Sequence, residues 1–144
     1  MSVSYPPPEQ LLPHAPPMVL LDSIIEHSDS HIICCAAAPV WAQHPLRING
    51  ELSVFSGVEY AAQALAAHAR LCEPIAAPPK AGLLITASTL QAQAQRLDEF
   101  AEELTIRVDI DSRTASSSRC QFTIYAQKQL LLSGQLTAAT QELL

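Results

Sequence analysis

At 144 residues the chain is long enough for one hydrophobic core and too short to build two with ease, so a single domain over residues 1–144 is expected. Apolar residues make up 49% and charged residues only 15%, which excludes a disordered chain. A net charge of −6 with no Lys/Arg cluster argues against nucleic acid as a partner.

The opening "MSVSYPPPEQ" has neither a basic region nor an apolar segment, so no secretory signal is expected and the cytoplasm is the default compartment. The longest nearly apolar run, "IICCAAAPVWA", is about half of the ~20 residues that a membrane-spanning helix needs, and Pro39 interrupts it. Cys34, Cys35, Cys72 and Cys120 show no paired spacing and read as reduced, small core residues.

Along the chain, "YPPPEQLLPHAPPM" predicts a short helical turn bracketed by prolines. "MVLLDSIIEHSDSHIICCAAA" carries two β-branched and leucine-rich runs on either side of "EHSDSH", the pattern of two strands joined by a hairpin turn. "PVWAQHPLRINGELSVF" has Pro, Asn-Gly and no clean period, and reads as a loop. A helix over about residues 56–73 follows, in "SGVEYAAQALAAHARLC", which is apolar nearly all round and must therefore be enclosed. Beyond it, "LTIRVDI" alternates apolar Leu104, Ile106, Val108 and Ile110 with polar residues, and Phe122, Ile124 and Ala126 repeat the period of two. Two strands, a loop, one buried helix and three or four more strands predict an α+β fold in which a curved antiparallel sheet wraps one central helix.

Glu59 stands out in the first turn of that helix. Ser56 with Glu59 three later has the form of a capping box, and an acid there also suits the helix dipole. Its neighbours Val58, Ala61, Ala62 and Leu65 would partly desolvate it, which would make it a usable proton donor or acceptor. Gln63, one turn on, could hydrogen-bond Glu59 or a ligand. His27 and His31 flank the hairpin turn, and His68 near the helix end reads as an ordinary surface histidine. His14, between prolines, and His44, in the loop, could each reach a mouth near Glu59. No H-x-x-x-H pair lies on a believable helix with a third ligand, so no metal is expected. There is no G-x-S-x-G elbow, P-loop or G-x-G-x-x-G.

"LLPHAPPMVLLDSI" and "GVEYAAQALAAHA", in this order, resemble the bacterial 3-hydroxyacyl-acyl-carrier-protein dehydratases of the hotdog fold. The loop departs from the usual "GHFPG" and looks more like the atypical branch associated with aryl polyene and other specialised polyketide pathways. The resemblance implies a homodimer or higher oligomer, or a heterodimer with a homologous dehydratase, with acyl sites at the subunit interface. It implies no cofactor of the chain's own, since the substrate rides on the phosphopantetheine of a carrier protein. The activity implied is loss of water from a 3-hydroxyacyl thioester to give a trans-2-enoyl thioester. A histidine would take the α proton and an acid from the other subunit's helix would protonate the hydroxyl. Glu59 matches the acid, and His14 and His44 remain candidates for the base. Backbone groups at the helix start, at Gly57 and Val58, would polarise the thioester carbonyl. Two alternatives stay open: a hotdog thioesterase in which Glu59 activates water, and a non-catalytic acyl-binding or partner subunit. Arg47, Arg70 and Lys80 are candidates to meet the carrier.

Overall fold

The computed structural model describes residues 4–73 and 83–140. Pro8 opens the single-turn helix α1 (Pro8–Leu11), where the missing proline N–H costs nothing, and the Leu12 N–H closes the turn on the Pro8 carbonyl at 3.0 Å. The hairpin β1 (Ser23–His27) and β2 (His31–Ala36) follows. Its first strand begins later than the apolar run from Met18 suggests. The Met18 carbonyl and the Leu20 N–H are bonded to the side chain of Gln63, so this stretch is tied to the helix and not to a neighbouring strand.

The irregular loop ends in a 3-10 turn, Val54–Ser56, that runs directly into the long helix α2 (Gly57–Cys72). The strands β3 (Leu83–Ala92), β4 (Leu104–Arg113), β5 (Ser117–Ala126) and β6 (Gln129–Thr140) complete a six-stranded sheet in the order β1-β2-β4-β5-β6-β3, every pair antiparallel. Of the three or four strands expected after the helix, four are present. Leu104, Ile106 and Val108 on β4 and Cys120, Phe122 and Ile124 on β5 point to the inner face and are buried, as the period of two requires. Ile110 departs from it and is only half-buried, because the β4–β5 register shifts between Ile110 and Ser112.

α2 lies on the inner face against β2, β4 and β5. Its buried residues include the small Gly57, Ala61, Ala64 and Ala67, which let the helix axis approach the sheet closely. The approach is tightest at Gly57, where an added Cβ would stand 2.7 Å from Ile124 Cδ1 and 2.9 Å from Leu132 Cδ2. Gly57→Ala therefore overpacks the junction, at ~1–3 kcal/mol. A gain in helix propensity of up to about 1 kcal/mol offsets only part of this. The expected result is a lower denaturant midpoint with an unchanged m value.

The loop before α2 is pinned by charge. Arg47 donates to the carbonyls of Trp41 at 2.8 Å and Gly50 at 2.9 Å, and its guanidinium meets Asp98 Oδ2 at 2.7 Å. Arg96 holds the same carboxylate through Nε at 2.9 Å and Nη2 at 2.7 Å. Arg47, a candidate for carrier binding on sequence grounds, is thus spent inside the fold, while Lys80 lies outside the described residues. The hydrogen bonds from Arg96, reinforced by Arg47, hold the Asp98 carboxyl well below the usual range. A depressed folded-state pKa contributes stability that is complete above the unfolded value and lost as pH falls toward the folded one. Stability should therefore decline as pH drops below about 4. Asp98→Asn should be less stable at neutral pH and flatter over that acid range in urea titrations.

Candidate active site

The helix start differs from the capping box expected of Ser56 and Glu59. Ser56 has helical backbone angles and makes no side-chain cap bond, because the 3-10 turn extends the helical path backwards and the Ser56 N–H is already bonded to the Ser53 carbonyl at 3.0 Å. The cap is Ser53, whose Oγ accepts from the Phe55 N–H at 3.1 Å. The Gly57 N–H is bonded back to the carbonyls of Val54 and Phe55, so within this chain it is already engaged and does not point to a ligand. Glu59 is relieved of capping and its carboxylate is directed elsewhere.

That direction is His14. The segment after α1 passes over the first turns of α2, and His14 Nε2 stands 3.1 Å from Glu59 Oε1. The two side chains are 29% and 32% exposed, so the pair opens to solvent and is less enclosed than an alanine-rich helix suggests. The other ring nitrogen, Nδ1, is buried with no hydrogen-bond partner among the described residues. Among the described residues Glu59 is therefore the one group that meets the imidazole, at hydrogen-bonding distance between Oε1 and Nε2.

Gln63 holds this arrangement from behind. Fully buried, it accepts from the Leu20 N–H at 2.9 Å and donates to the Met18 carbonyl at 2.6 Å and to Glu59 Oε1 at 3.2 Å. These three contacts engage both of its N–H donors and its carbonyl oxygen, and they link the segment that carries His14 to the helix that carries Glu59. Val58 flanks Glu59 and is half-buried.

His44 has a different environment. It is 3% exposed, its Nδ1 accepts from the Leu46 N–H at 3.1 Å, and its Nε2 meets the Tyr60 hydroxyl at 2.8 Å. The backbone bond to Nδ1 places the ring proton on Nε2, which donates to Tyr60. Trp41 covers the ring, with centroids 4.6 Å apart. Burial, with the nearby Arg47 charge, lowers the His44 pKa, and burial with the charge of Asp22 raises that of Tyr60. Tyr60 escaped the sequence reading, although a tyrosine among helix alanines was a usable signal, since a buried hydroxyl needs a partner.

His68 is a correction. It is not a surface histidine but fully buried, with Nε2 at 2.9 Å from the Ser28 carbonyl and Nδ1 at 2.8 Å from Arg113 Nη2. Burial and the Arg113 charge lower its pKa to about 4. The reason is topological: the β1–β2 turn folds over the end of α2. Nor are all the cysteines core residues. Cys34 and Cys120 are buried, Cys35 is half-buried with its thiol on Glu103 Oε1 at 3.0 Å, and Cys72 is exposed. Arg70, the last of the carrier candidates, pairs with Glu73 at 3.0 Å. Among the described residues no helix is long and apolar enough to cross a membrane.

Residues 6–143 match the profile of the ApeP-like family, described as ApeP dehydratase. The chain belongs to the ApeP-like dehydratase family. This is the atypical, aryl-polyene-type branch that its motifs resemble. The ApeP-like fold is similar to that of the dehydratase heterocomplex ApeI:P from Xenorhabdus doucetiae, with a TM-score of 0.84 at 21% identity over 96% of this chain and 93% of that one. It is also similar to AziG of S. sahachiroi, with a TM-score of 0.62 at 16% identity over 92% and 99% of the two chains. The PaaI protein of the E. coli phenylacetic acid degradation operon gives 0.54 at 15% identity over 81% and 80%. At these identities the likenesses speak to the fold, and the ApeP-like chain has the hotdog architecture expected of it. No functionally curated protein matches the sequence.

Proposed function

We propose that the chain removes water from a 3-hydroxyacyl thioester held on an acyl carrier protein, giving a trans-2-enoyl thioester, with Glu59 as acid and His14 as base, both from one chain and not from two subunits as the resemblance implies. The observation that carries this reading is the 3.1 Å contact between His14 Nε2 and Glu59 Oε1 at a solvent-facing position. His14 Nε2 takes the α proton as Glu59 delivers its own to the departing hydroxyl. The C–H and C–O bonds break, the carbon–carbon double bond forms, and one water leaves. The pair has then gained one proton and lost one, so passage of a proton between Nε2 and Oε1 restores it without solvent. The spacing suits a hydrogen and a hydroxyl on adjacent carbons leaving from one face. Val58 borders the acyl chain, and the N-terminal dipole of α2 favours charge developing on the thioester oxygen. The phosphopantetheine belongs to the carrier, and the chain needs no further cofactor for this chemistry.

Family membership supports dehydration over hydrolysis. A second reading, that the chain works beside a homologous dehydratase, is favoured by one observation: ApeI:P is a dehydratase heterocomplex. The purified chain, alone and mixed with a homologous dehydratase of its pathway, is given a 3-hydroxyacyl carrier and the product is identified. Enoyl carrier formed by the chain alone supports a homo-oligomeric enzyme. Enoyl carrier formed only in the mixture supports the partnered form. A free carrier thiol would make it a thioesterase instead.

A further inference from the structure

At the end of α2 remote from Glu59, the fold assembles a second group of side chains that the proposed chemistry does not use. His68 and Cys72 lie one turn apart on the helix, and His27 reaches them from the last position of β1. One ligand atom from each residue fits within a set whose members are all within 4.8 Å of one another. Cys72 Sγ is 3.6 Å from His27 Nε2 and 4.0 Å from His68 Nδ1, and the two imidazole centroids are 4.9 Å apart. A tetrahedral zinc ion with bonds of 2.0 Å to nitrogen and 2.3 Å to sulfur needs nitrogen–sulfur edges of about 3.5 Å. One edge is close to that length and the other is within a small side-chain adjustment of it.

The groups around the cluster point the same way. His68 donates Nε2–H to the Ser28 carbonyl, the bond that fixes a metal-binding imidazole with its lone pair on the other nitrogen. That lone pair on Nδ1 already faces a cation, the Arg113 guanidinium, at 2.8 Å. Arg113 is an exposed residue at the last position of β4, so it can swing away when an ion arrives. Cys72 is exposed, which leaves a fourth position open to water. The pattern absent from the sequence is two histidines on one helix with a third ligand. The set here takes His and Cys from the helix and the second His from the hairpin.

We propose that His27, His68 and Cys72 form a three-ligand site for a zinc-type divalent cation, fastening the β1–β2 hairpin to the end of α2. On binding, the Cys72 S–H bond breaks, the thiolate takes the metal, the proton goes to solvent, and Arg113 is displaced from His68 Nδ1. At 1.5 Å per residue the helix carries the site's ligands ~14 Å (His68) and ~20 Å (Cys72) beyond Glu59, so its role is structural and separable from turnover.

Titration of the intact, metal-free protein with cobalt(II) at neutral pH tests this. The expected result is a sulfur-to-cobalt charge-transfer band at one equivalent that zinc abolishes. Cys72→Ser should lose the band, His27→Ala should weaken binding by at least about tenfold, and Arg113→Ala should tighten it several-fold. Both ligand variants change solvent-accessible side chains, so far-ultraviolet circular dichroism can confirm that they are folded. No charge-transfer band in the wild type, a band that survives Cys72→Ser, or affinity unchanged in His27→Ala would each overturn the site.

Discussion

Replacing Glu59 by Gln lowers the rate of 3-hydroxyacyl thioester dehydration by about 10²–10⁴-fold, the loss expected when a positioned acid–base group can no longer give up its proton. The substitution keeps shape and hydrogen bonding. The new side-chain carbonyl can still accept from Gln63 Nε2, which now bonds Glu59 Oε1 at 3.2 Å. At 32% exposure the carboxylate contributes little to stability, under about 1 kcal/mol, so the denaturant midpoint should barely move. Because the proton is needed only in the transition state, kcat and kcat/KM should fall together. The measurement is single-turnover conversion of a carrier-bound 3-hydroxyacyl chain. An effect confined to KM would assign Glu59 to substrate binding.

The second large effect is expected at Gln63, where stability and activity are lost together. Gln63→Leu fills the volume but leaves the Leu20 N–H and the Met18 carbonyl without the partners they have at 2.9 and 2.6 Å. Gln63 is fully buried, and each stranded backbone group costs about 1–3 kcal/mol, so a total near 3 kcal/mol is expected in urea unfolding. The same change releases Glu59 and loosens the segment that carries His14. Gln63 is a positioning residue, and the readout specific to that role is kcat measured where the variant is still folded. It should fall at least about tenfold below wild type, beyond the fraction unfolded. A variant that loses stability alone would show that His14 and Glu59 hold one another without help.

Much of this architecture is legible in the sequence because the alternation on β4 and β5 and the alanine-rich face of α2 encode burial directly. Leu104, Ile106 and Val108 could hardly face water, and Gly57 and the alanines of α2 need a close neighbour. The departures occur where a side chain competes with the backbone. Met18 to Leu21 has the composition of a strand, but Gln63 takes two of its backbone groups, and a distant glutamine cannot be foreseen in a local pattern. The Ser56–Glu59 capping box fails because the 3-10 turn shifts the cap to Ser53. In the candidate site, apolar sequence neighbours singled out Glu59, although its side chain is 32% exposed in the fold, and the placement of His14 and His44 rested on which partner each would find. His44 found Tyr60 and His14 found Glu59. Both are decided by contacts across 16 residues or more, beyond the reach of helix or strand periodicity.

The central claim, that His14 and Glu59 together remove water, is tested most directly by comparing His14→Asn with His44→Asn on a 3-hydroxyacyl carrier followed by mass spectrometry of the carrier-bound chain. The account predicts that folded His44→Asn still converts the hydroxyacyl chain to the enoyl form within about tenfold of wild type, while His14→Asn is slower by about 10² or more. Dehydration at the wild-type rate by His14→Asn, with loss of turnover in a folded His44→Asn, would contradict it.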